Sequence, residues 1–364
     1  MNWRFGMQRR VFSLATGGFL SLALLCGSAL AQSPKPPTLR VLTHSSFELP
    51  AELLAGFEQQ AGVKLQIVKG GDAGEMLNKL ILTRAKPIAD VVFGIDNTLL
   101  QQAVAANVIE PYAGPATQRK AAAGMGETAD ATGVVAGVVP VDHGYVTLNI
   151  DKAWFARAGL ALPTRLEQLA EPAYAKLLVV QNPATSSPGL AFLFANIAAL
   201  GEAAAFDWWA KLRANGVKVA KGWTEAYYTE FTRNGGTRPI VVSYASSPAA
   251  EVFFSKDKLT ESPTANLFLK GGVFRQVEGV ALVRGGNPAA REGAGRFIEF
   301  LRSAPAQQAL QTTMWMYPAE AGAPRVEVMQ QHAVEPTAFD NPPAAQMEDK
   351  GRGWVQRWTK VVLK

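Results

Sequence analysis

Apolar and polar positions along this chain follow two rhythms, and the switches between them mark its elements. After a polar, proline-rich leader from Gln32 to Thr38, Leu39 to Thr43 reads as a strand. It leads into a segment with Leu53, Leu54, Phe57 and Ala61 on one helical face, stopped by Gly62. Val63 to Val68 alternates as a strand. Glu75 to Arg84 returns to helix with Met76, Leu77, Leu80 and Ile81 inward. Ala89 to Ile95 is apolar apart from Asp90, and Thr98 to Ala106 is helical again. Strand and helix alternating in this way predict an α/β lobe with a mostly parallel sheet.

A second set starts near Val139. Gly144 to Ile150, Lys176 to Gln181, Ile240 to Tyr244 and Val277 to Arg284 read as strands. Gly189 to Leu200, the segment after Pro248, and the segment carrying Ala294, Phe297, Ile298 and Leu301 read as helices. A last helix, Arg352 to Leu363, puts Trp354, Trp358 and Val361 on one stripe, which is a packing face. No internal repeat is visible. The organisation expected is two-lobed: 32–142 as the first part of lobe 1, 143–276 as lobe 2, and 277–364 returning to lobe 1. Ligands of such sheets sit in the cleft at the carboxyl ends of the strands.

The first thirty-one residues have the layout of a secretory signal. Arg4, Arg9 and Arg10 lead an apolar run from Phe12 to Leu30, and Ser28-Ala29-Leu30-Ala31 supplies the small-x-small pattern that places cleavage after Ala31. Export to the periplasm follows. The single cysteine, Cys26, lies in that segment, so the mature chain has no disulfide, no thiolate metal site and no thiol nucleophile. The formal charge of +6 falls to +3 without the three arginines of the signal, and the remaining Lys and Arg are spread along the chain. Nucleic-acid binding, which needs clustered positive charge, is not expected. The three histidines, His44, His143 and His332, have no metal-ligand spacing, and no cofactor is indicated.

Three groups of loops carry unusual chemistry. Gly70-Gly71-Asp72-Ala73-Gly74-Glu75 follows a strand and opens a helix, so Asp72 can cap and the free amides around Ala73 can meet an anion. Asn182 to Gly189 repeats the arrangement with Ser186, Ser187 and Pro188 at a helix start. The third group is aromatic: Trp223 and Tyr227 in Lys221 to Tyr227, Tyr244 at a strand end, and Trp315 in Met314-Trp315-Met316-Tyr317-Pro318. Aromatic faces hold a flat cation, each at about 0.5 to 2 kcal/mol. Together the loops describe a ligand with a flat cationic part and an anionic or hydroxylated part. A Gly-x-Ser-x-Gly elbow is absent and Asp72 has no acid/base partner in sequence, so an enzyme is not expected.

In these loops the chain resembles the periplasmic thiamine-binding proteins, of type II solute-binding fold. The resemblance is carried by Ala89 to Asn97 with Leu99-Leu100, Val139 to Tyr145, Thr185 to Gly189, Lys221 to Tyr227, Ser243-Tyr244 with Ser247-Pro248-Ala249, and Trp315 to Pro318. It implies a monomer that takes thiamine or a thiamine phosphate and hands it to an inner-membrane ABC permease. It further implies that Trp315 stacks on the ligand, that Trp223 and Tyr244 line the pocket, and that Asp72 and Ser186, with neighbouring amides and Ser187, give polar contacts including those to phosphate. Two positions depart from the family: His44 stands where it has a tyrosine, and Ala250 where it has a second stacking tyrosine. Phe254, one helical turn on from Ala250, is placed to fill part of that gap.

The alternative is a type II binding protein for another solute, ferric iron or a polyamine. Tyr227-Tyr228 superficially offers an iron pair, but adjacent helical side chains diverge by about 100°. Polyamine sites combine aromatic walls with several acids, and the candidate loops hold few.

Overall fold

Among the described residues eleven strands carry the architecture: β1 (Thr38–Thr43), β2 (Lys64–Lys69), β3 (Val91–Asp96), β4 (Ile109–Glu110), β5 (Val139–Asp151), β6 (Leu178–Gln181), β7 (Lys218–Ala220), β8 (Ile240–Tyr244), β9 (Thr264–Leu267), β10 (Phe274–Val283) and β11 (Tyr317–Pro318). The computed structural model describes residues 35–126 and 132–364. The signal segment 1–31 lies outside the described residues, as do the first residues of the proline-rich leader, whose last residue, Thr38, already belongs to β1.

Among the described residues the strands join in the order β2-β1-β3-β10-β5-β8-β6-β7, with β4 beside β10 and β9 and β11 beside β5. The expected α/β alternation is present, but the sheet is mixed. β1, β2 and β3 run parallel, as do β6, β7 and β8, while β5 and β10 are antiparallel to each other and to β8 and β3. The two long strands thus connect two parallel sets. The expected lobe boundaries at 142/143 and 276/277 fall inside β5 and β10.

β5 runs from Val139, five residues before the start predicted for it. Every one of its residues is buried, so neither face shows the apolar/polar alternation by which a half-exposed strand is read. β10 is irregular at one place: its register shifts beside Glu278-Gly279 against β5 and beside Gly279-Val280 against β3. Such bulges re-aim side chains.

Helices cover both faces. Helix Ala73–Leu82 buries Met76, Leu77 and Leu80, and helix Arg291–Leu301 buries Ala294, Phe297, Ile298 and Leu301, the stripes predicted for them. The C-terminal helix starts at Ala344, eight residues before its predicted start. Trp354 and Trp358 are buried on it, edge-on to Phe194 and Trp209, so this tryptophan stripe is packing.

Candidate functional site

The ends of these strands and the helix starts that follow them surround one cavity of about 300 Å³. The turn after β1 brings His44 and Ser46, the turn after β2 brings Asp72 and Ala73, and the helix start after β6 brings Ser187 and Pro188. Trp223, Tyr227 and Tyr228 follow β7; Tyr244, Ala250 and Phe254 come from β8 and the helix Ser247–Phe253 with its cap. Glu278 on β10 and the segment Met314 to Met316 complete the wall.

Asp72 caps its helix as expected, its Oδ1 accepting the Ala73 N–H at 2.7 Å. Its Oδ2 accepts the backbone N–H of Trp223 at 2.9 Å, a contact between residues 151 apart in sequence. The approach needs Gly222, because a Cβ there would lie 2.7 Å from Asp72 Oδ2. Nearby, Glu75 donates its N–H to Thr185 O at 3.2 Å and pairs with Lys221 at 2.8 Å. These bonds fasten the first parallel set to the second.

The aromatic wall is built with its polar edges satisfied. The Trp223 indole N–H donates to Ser243 Oγ at 2.8 Å, and its ring stacks on Tyr227 at 5.1 Å and 20°. The Tyr227 hydroxyl donates to Glu251 at 2.8 Å, and Arg233 holds the other oxygen of that carboxylate at 3.1 Å. Tyr228 meets Tyr227 nearly edge-on, at 76°, and is exposed. The Tyr244 hydroxyl donates to Gln276 Oε1 at 2.9 Å. Burial raises its pKa well above the usual phenol value, and the negative charges of Glu278, Asp72, Asp96 and Asp142 push it further in the same direction.

Trp315 opposes this wall from a strained backbone, with φ of +60°, a region that non-glycine residues rarely enter. Its carbonyl is held by the Ser246 hydroxyl at 2.5 Å. Phe253 and Phe254, both more than half exposed, stand edge-on to its ring at 5.3 and 5.6 Å.

Below the aromatic walls lies an ionisable floor. His44 Nδ1 accepts the Ser46 N–H at 3.2 Å, which leaves the proton of the neutral ring on Nε2, facing Glu278 Oε2 at 3.5 Å. That distance suits an ion pair but is too long for a hydrogen bond, and buried Nε2 has no other partner. Burial opposes charge on this ring, yet Glu278 and the more distant Asp72 outweigh it, and the net pKa is raised. The ring fits here because Gly94, at φ +97°, has no Cβ to collide with it. Asp142 and Asp96 face Glu278 across the sheet register on either side. Asp96 accepts from Thr98 and Leu99 N–H groups and from Gln276; burial nevertheless raises its pKa to about 6.

Of the residues singled out in the sequence, Asp72, Ala73, Ser187, Trp223, Tyr244, Trp315 and His44 stand around this one cavity. Ser186 does not: it is fully buried behind the wall and its hydroxyl has no partner, whereas Ser187 Oγ accepts from Gln276 at 2.9 Å. His143 faces away from the cavity, packed on Tyr317 at 5.4 Å. Sequence reasoning missed Glu278, Glu251 and Arg233. The first had a signal: an acid inside a strand as apolar as Phe274–Val283 is buried, and buried acids are rare without a reason.

With the geometry in place, the chain can be set beside known proteins. A family model described as bacterial extracellular solute-binding protein matches residues 86–348. The thiamine-binding periplasmic protein of Salmonella typhimurium is 32% identical over 356 residues, covering 94% of this chain and 98% of that protein. Its Escherichia coli counterpart is 30% identical over 352 residues, covering 94% and 98%. A solved structure of a periplasmic thiamin binding protein matches with a TM-score of 0.77 at 28% identity, over 91% of this chain and 98% of that one. The chain belongs to the bacterial extracellular solute-binding protein family and has the type II periplasmic binding fold.

Proposed function

We propose that this solute-binding protein captures thiamine or a thiamine phosphate in the periplasm and delivers it to an ABC-type importer of the inner membrane. The observation that carries the reading is the cavity between Trp315 and the Trp223–Tyr244 wall. Its size suits a flat two-ring molecule, and its aromatic faces suit a cationic ring at about 0.5 to 2 kcal/mol each. Near-full-length likeness to proteins named for thiamine binding supports the same ligand.

The charges around the cavity favour a ligand with one positive charge over a polyamine. Three carboxylates line it, more than the candidate loops suggested, because Glu251 and Glu278 lie outside those loops. Asp72 is committed to two backbone amides and Glu251 to Tyr227 and Arg233. Glu278 alone is left to face a cation. For iron, the near-perpendicular Tyr227 and Tyr228 rings and the Glu251 bond of Tyr227 oppose a shared chelate.

In this reading the two parallel sets are lobes that close on the ligand about β5 and β10. Asp72, Ala73, Ser187, Trp223, Tyr244, Trp315 and His44 touch it, the Ser186 hydroxyl does not, and the protein acts as a monomer without catalysis. Native mass spectrometry of the protein as purified, followed by titration calorimetry with thiamine, tests the ligand. A bound mass of thiamine or its phosphates is expected; retention of Fe(III) with a tyrosinate colour, or no heat with thiamine, overturns the reading. Release of free phosphate from thiamine phosphate on incubation would overturn the claim that binding involves no chemistry.

A further inference from the structure

Glu278 is the one carboxylate lining the cavity that holds no backbone amide, hydroxyl or guanidinium, its nearest donor being His44 Nε2 at 3.5 Å. It is 4% exposed, set on β10 where the strand bulges, and lines the cavity beside His44. Directly across the β5 register is Asp142, fully buried, with no hydrogen-bond partner for either carboxylate oxygen. Two ionised carboxylates in contact offer each other no donor. A single proton between them supplies the missing hydrogen bond and removes one of two buried like charges.

We propose that Glu278 is the counter-charge by which this site selects a cationic ring, and that it shares with Asp142 a proton that leaves when the cation binds. The inference rests on the thiamine reading and names the group that distinguishes the charged vitamin from an uncharged molecule of the same shape. Before binding, the pair carries one negative charge and one proton. A ligand cation beside Glu278 stabilises the second carboxylate, and the proton passes to solvent. One positive charge enters as one departs, so the net charge of the site is unchanged by loading.

The groups facing the pair bear on this exchange, and His44 is the one that competes with it. Asp142 has a pKa well above the ordinary carboxylate range, first because it is buried and then because Glu278 is beside it. Asp96, facing Glu278 from β3, adds a further negative charge when ionised. His44, from the turn after β1, presents Nε2 to Glu278, with Asp72 and Lys69 acting on the same ring with opposite sign. Tyr244, from β8, is held neutral first by burial and then by these acids. Glu278 raises the pKa of the His44 ring against its burial, so the ring competes with the ligand for that carboxylate; taking up a second proton costs it the Ser46 N–H bond at Nδ1.

The test compares thiamine with an analogue in which an uncharged thiophene replaces the thiazolium ring. Glu278→Gln, nearly isosteric, is expected to weaken thiamine binding about 10- to 100-fold and to leave the neutral analogue within about twofold. Equal loss for both ligands, or none for thiamine, overturns the proposal, since a merely structural role does not distinguish ring charge. Calorimetry of the unmutated protein at neutral pH, in two buffers of unlike ionisation enthalpy, supplies a second readout that needs no variant. Release of up to about one proton per thiamine is expected, with none for the neutral analogue. Absence of release with thiamine overturns the shared proton. Wild-type protein that binds neither ligand overturns the thiamine reading as a whole; wild-type binding without ring-charge discrimination overturns this inference alone.

Discussion

Asp72 and Trp223, 151 residues apart in sequence, are joined through a carboxylate that caps a helix with one oxygen and holds the other residue's backbone N–H with its second. The cap and the clasp are one group. Asp72→Asn keeps a single carbonyl acceptor and leaves one of these amides unpaired, and Asp72→Ala leaves both. Each lost bond to a charged acceptor costs about 1.5 to 3 kcal/mol. Trp223 then loses the anchor that presents its ring. We expect the variants to bind thiamine and thiamine phosphate more weakly by the same factor in calorimetry. A loss confined to one of the two ligands would instead show Asp72 acting on the ligand directly.

Trp315 is the one non-glycine residue lining the cavity that holds a positive φ, and strain of that kind is kept where the surrounding structure imposes it. Its half-buried ring faces the cavity and is braced from behind by Phe253. Trp315→Ala is expected to weaken thiamine binding by roughly 2 to 4 kcal/mol, the scale of a buried aromatic hot spot. The melting temperature of the ligand-free protein should change little, because the ring is only half buried. An unchanged dissociation constant would remove Trp315 from the site.

Much of this site was legible because its residues sit at punctuation. Asp72, Ser187 and Tyr244 lie where a strand ends or a helix starts, and Trp315 lies in a loop rather than a stripe, so position alone marked them. Glu278 lies in mid-strand, two residues from Gln276 on the face that meets Tyr244 and Ser187, and which face of a buried strand looks into the cavity is a tertiary matter that no local pattern encodes. Ser186 and Ser187 differ by one residue at a helix start. Which of the two hydroxyls reaches the wall depends on the rotation of the helix against the sheet, a tertiary quantity. β5 was shortened in the reading for a similar reason: Asp142 and His143 look like a loop until both faces of the strand are covered.

At that helix start the hydroxyl on the wall, Ser187, is the one placed to answer an anion. Ser187 lines the cavity and already accepts from Gln276, leaving its own proton to donate. Ser187→Ala is therefore expected to weaken thiamine phosphate more than thiamine, by roughly 1 kcal/mol. Ser186→Ala should leave both affinities close to wild type, since that hydroxyl is buried behind the wall without a partner. Paired titrations with the two ligands decide; the reverse ranking would place Ser186 in the phosphate contact.

The buried acids also set how stability follows pH. Burial raises Asp96 to about 6 and lifts Asp142 well above the carboxylate range, so the folded protein holds these protons more tightly than the unfolded chain does. The stabilisation is fully present below the ordinary carboxylate pKa and is lost as pH rises through the folded value. For Asp96 alone the change is roughly 3 kcal/mol. Asp90 runs the other way: although burial opposes its charge, Arg40 and two backbone amides hold its pKa down, and its stabilisation is lost only on strong acidification. Buried His143 acts against them at lower pH: burial lowers its pKa to about 4, so its stabilisation is lost as pH falls from the unfolded histidine value toward 4. The acids' share is therefore read above pH 6, where the melting temperature of ligand-free protein should fall with rising pH and Asp142→Asn should flatten that fall. A melting temperature that rises from pH 6 to 8, or an Asp142→Asn trend identical to that of the unmutated protein over that range, would contradict the assignment.

The last prediction concerns the wall that departs from the thiamine-binding family at Ala250. Ala250 and Phe254 are one helical turn apart and both line the cavity, and the Phe254 ring stands 5.6 Å from Trp315 at 67°. That ring occupies the side of the cavity a tyrosine at position 250 would reach, while remaining two-thirds exposed. Phe254 is therefore expected to stand in for the missing aromatic, and two variants with a double-mutant cycle test this. Phe254→Ala should weaken thiamine binding by about 0.5 to 1.5 kcal/mol, the worth of one aromatic contact beyond its buried area. Ala250→Tyr alone should not tighten binding, because the added ring meets Phe254, and crowding of that kind costs about 1 to 3 kcal/mol. The two changes together should recover what Phe254→Ala loses, giving a coupling of opposite sign to the single effects. Tightening by Ala250→Tyr in the presence of Phe254 would mean that this wall is empty and that the exposed Phe254 ring swings clear of the ligand.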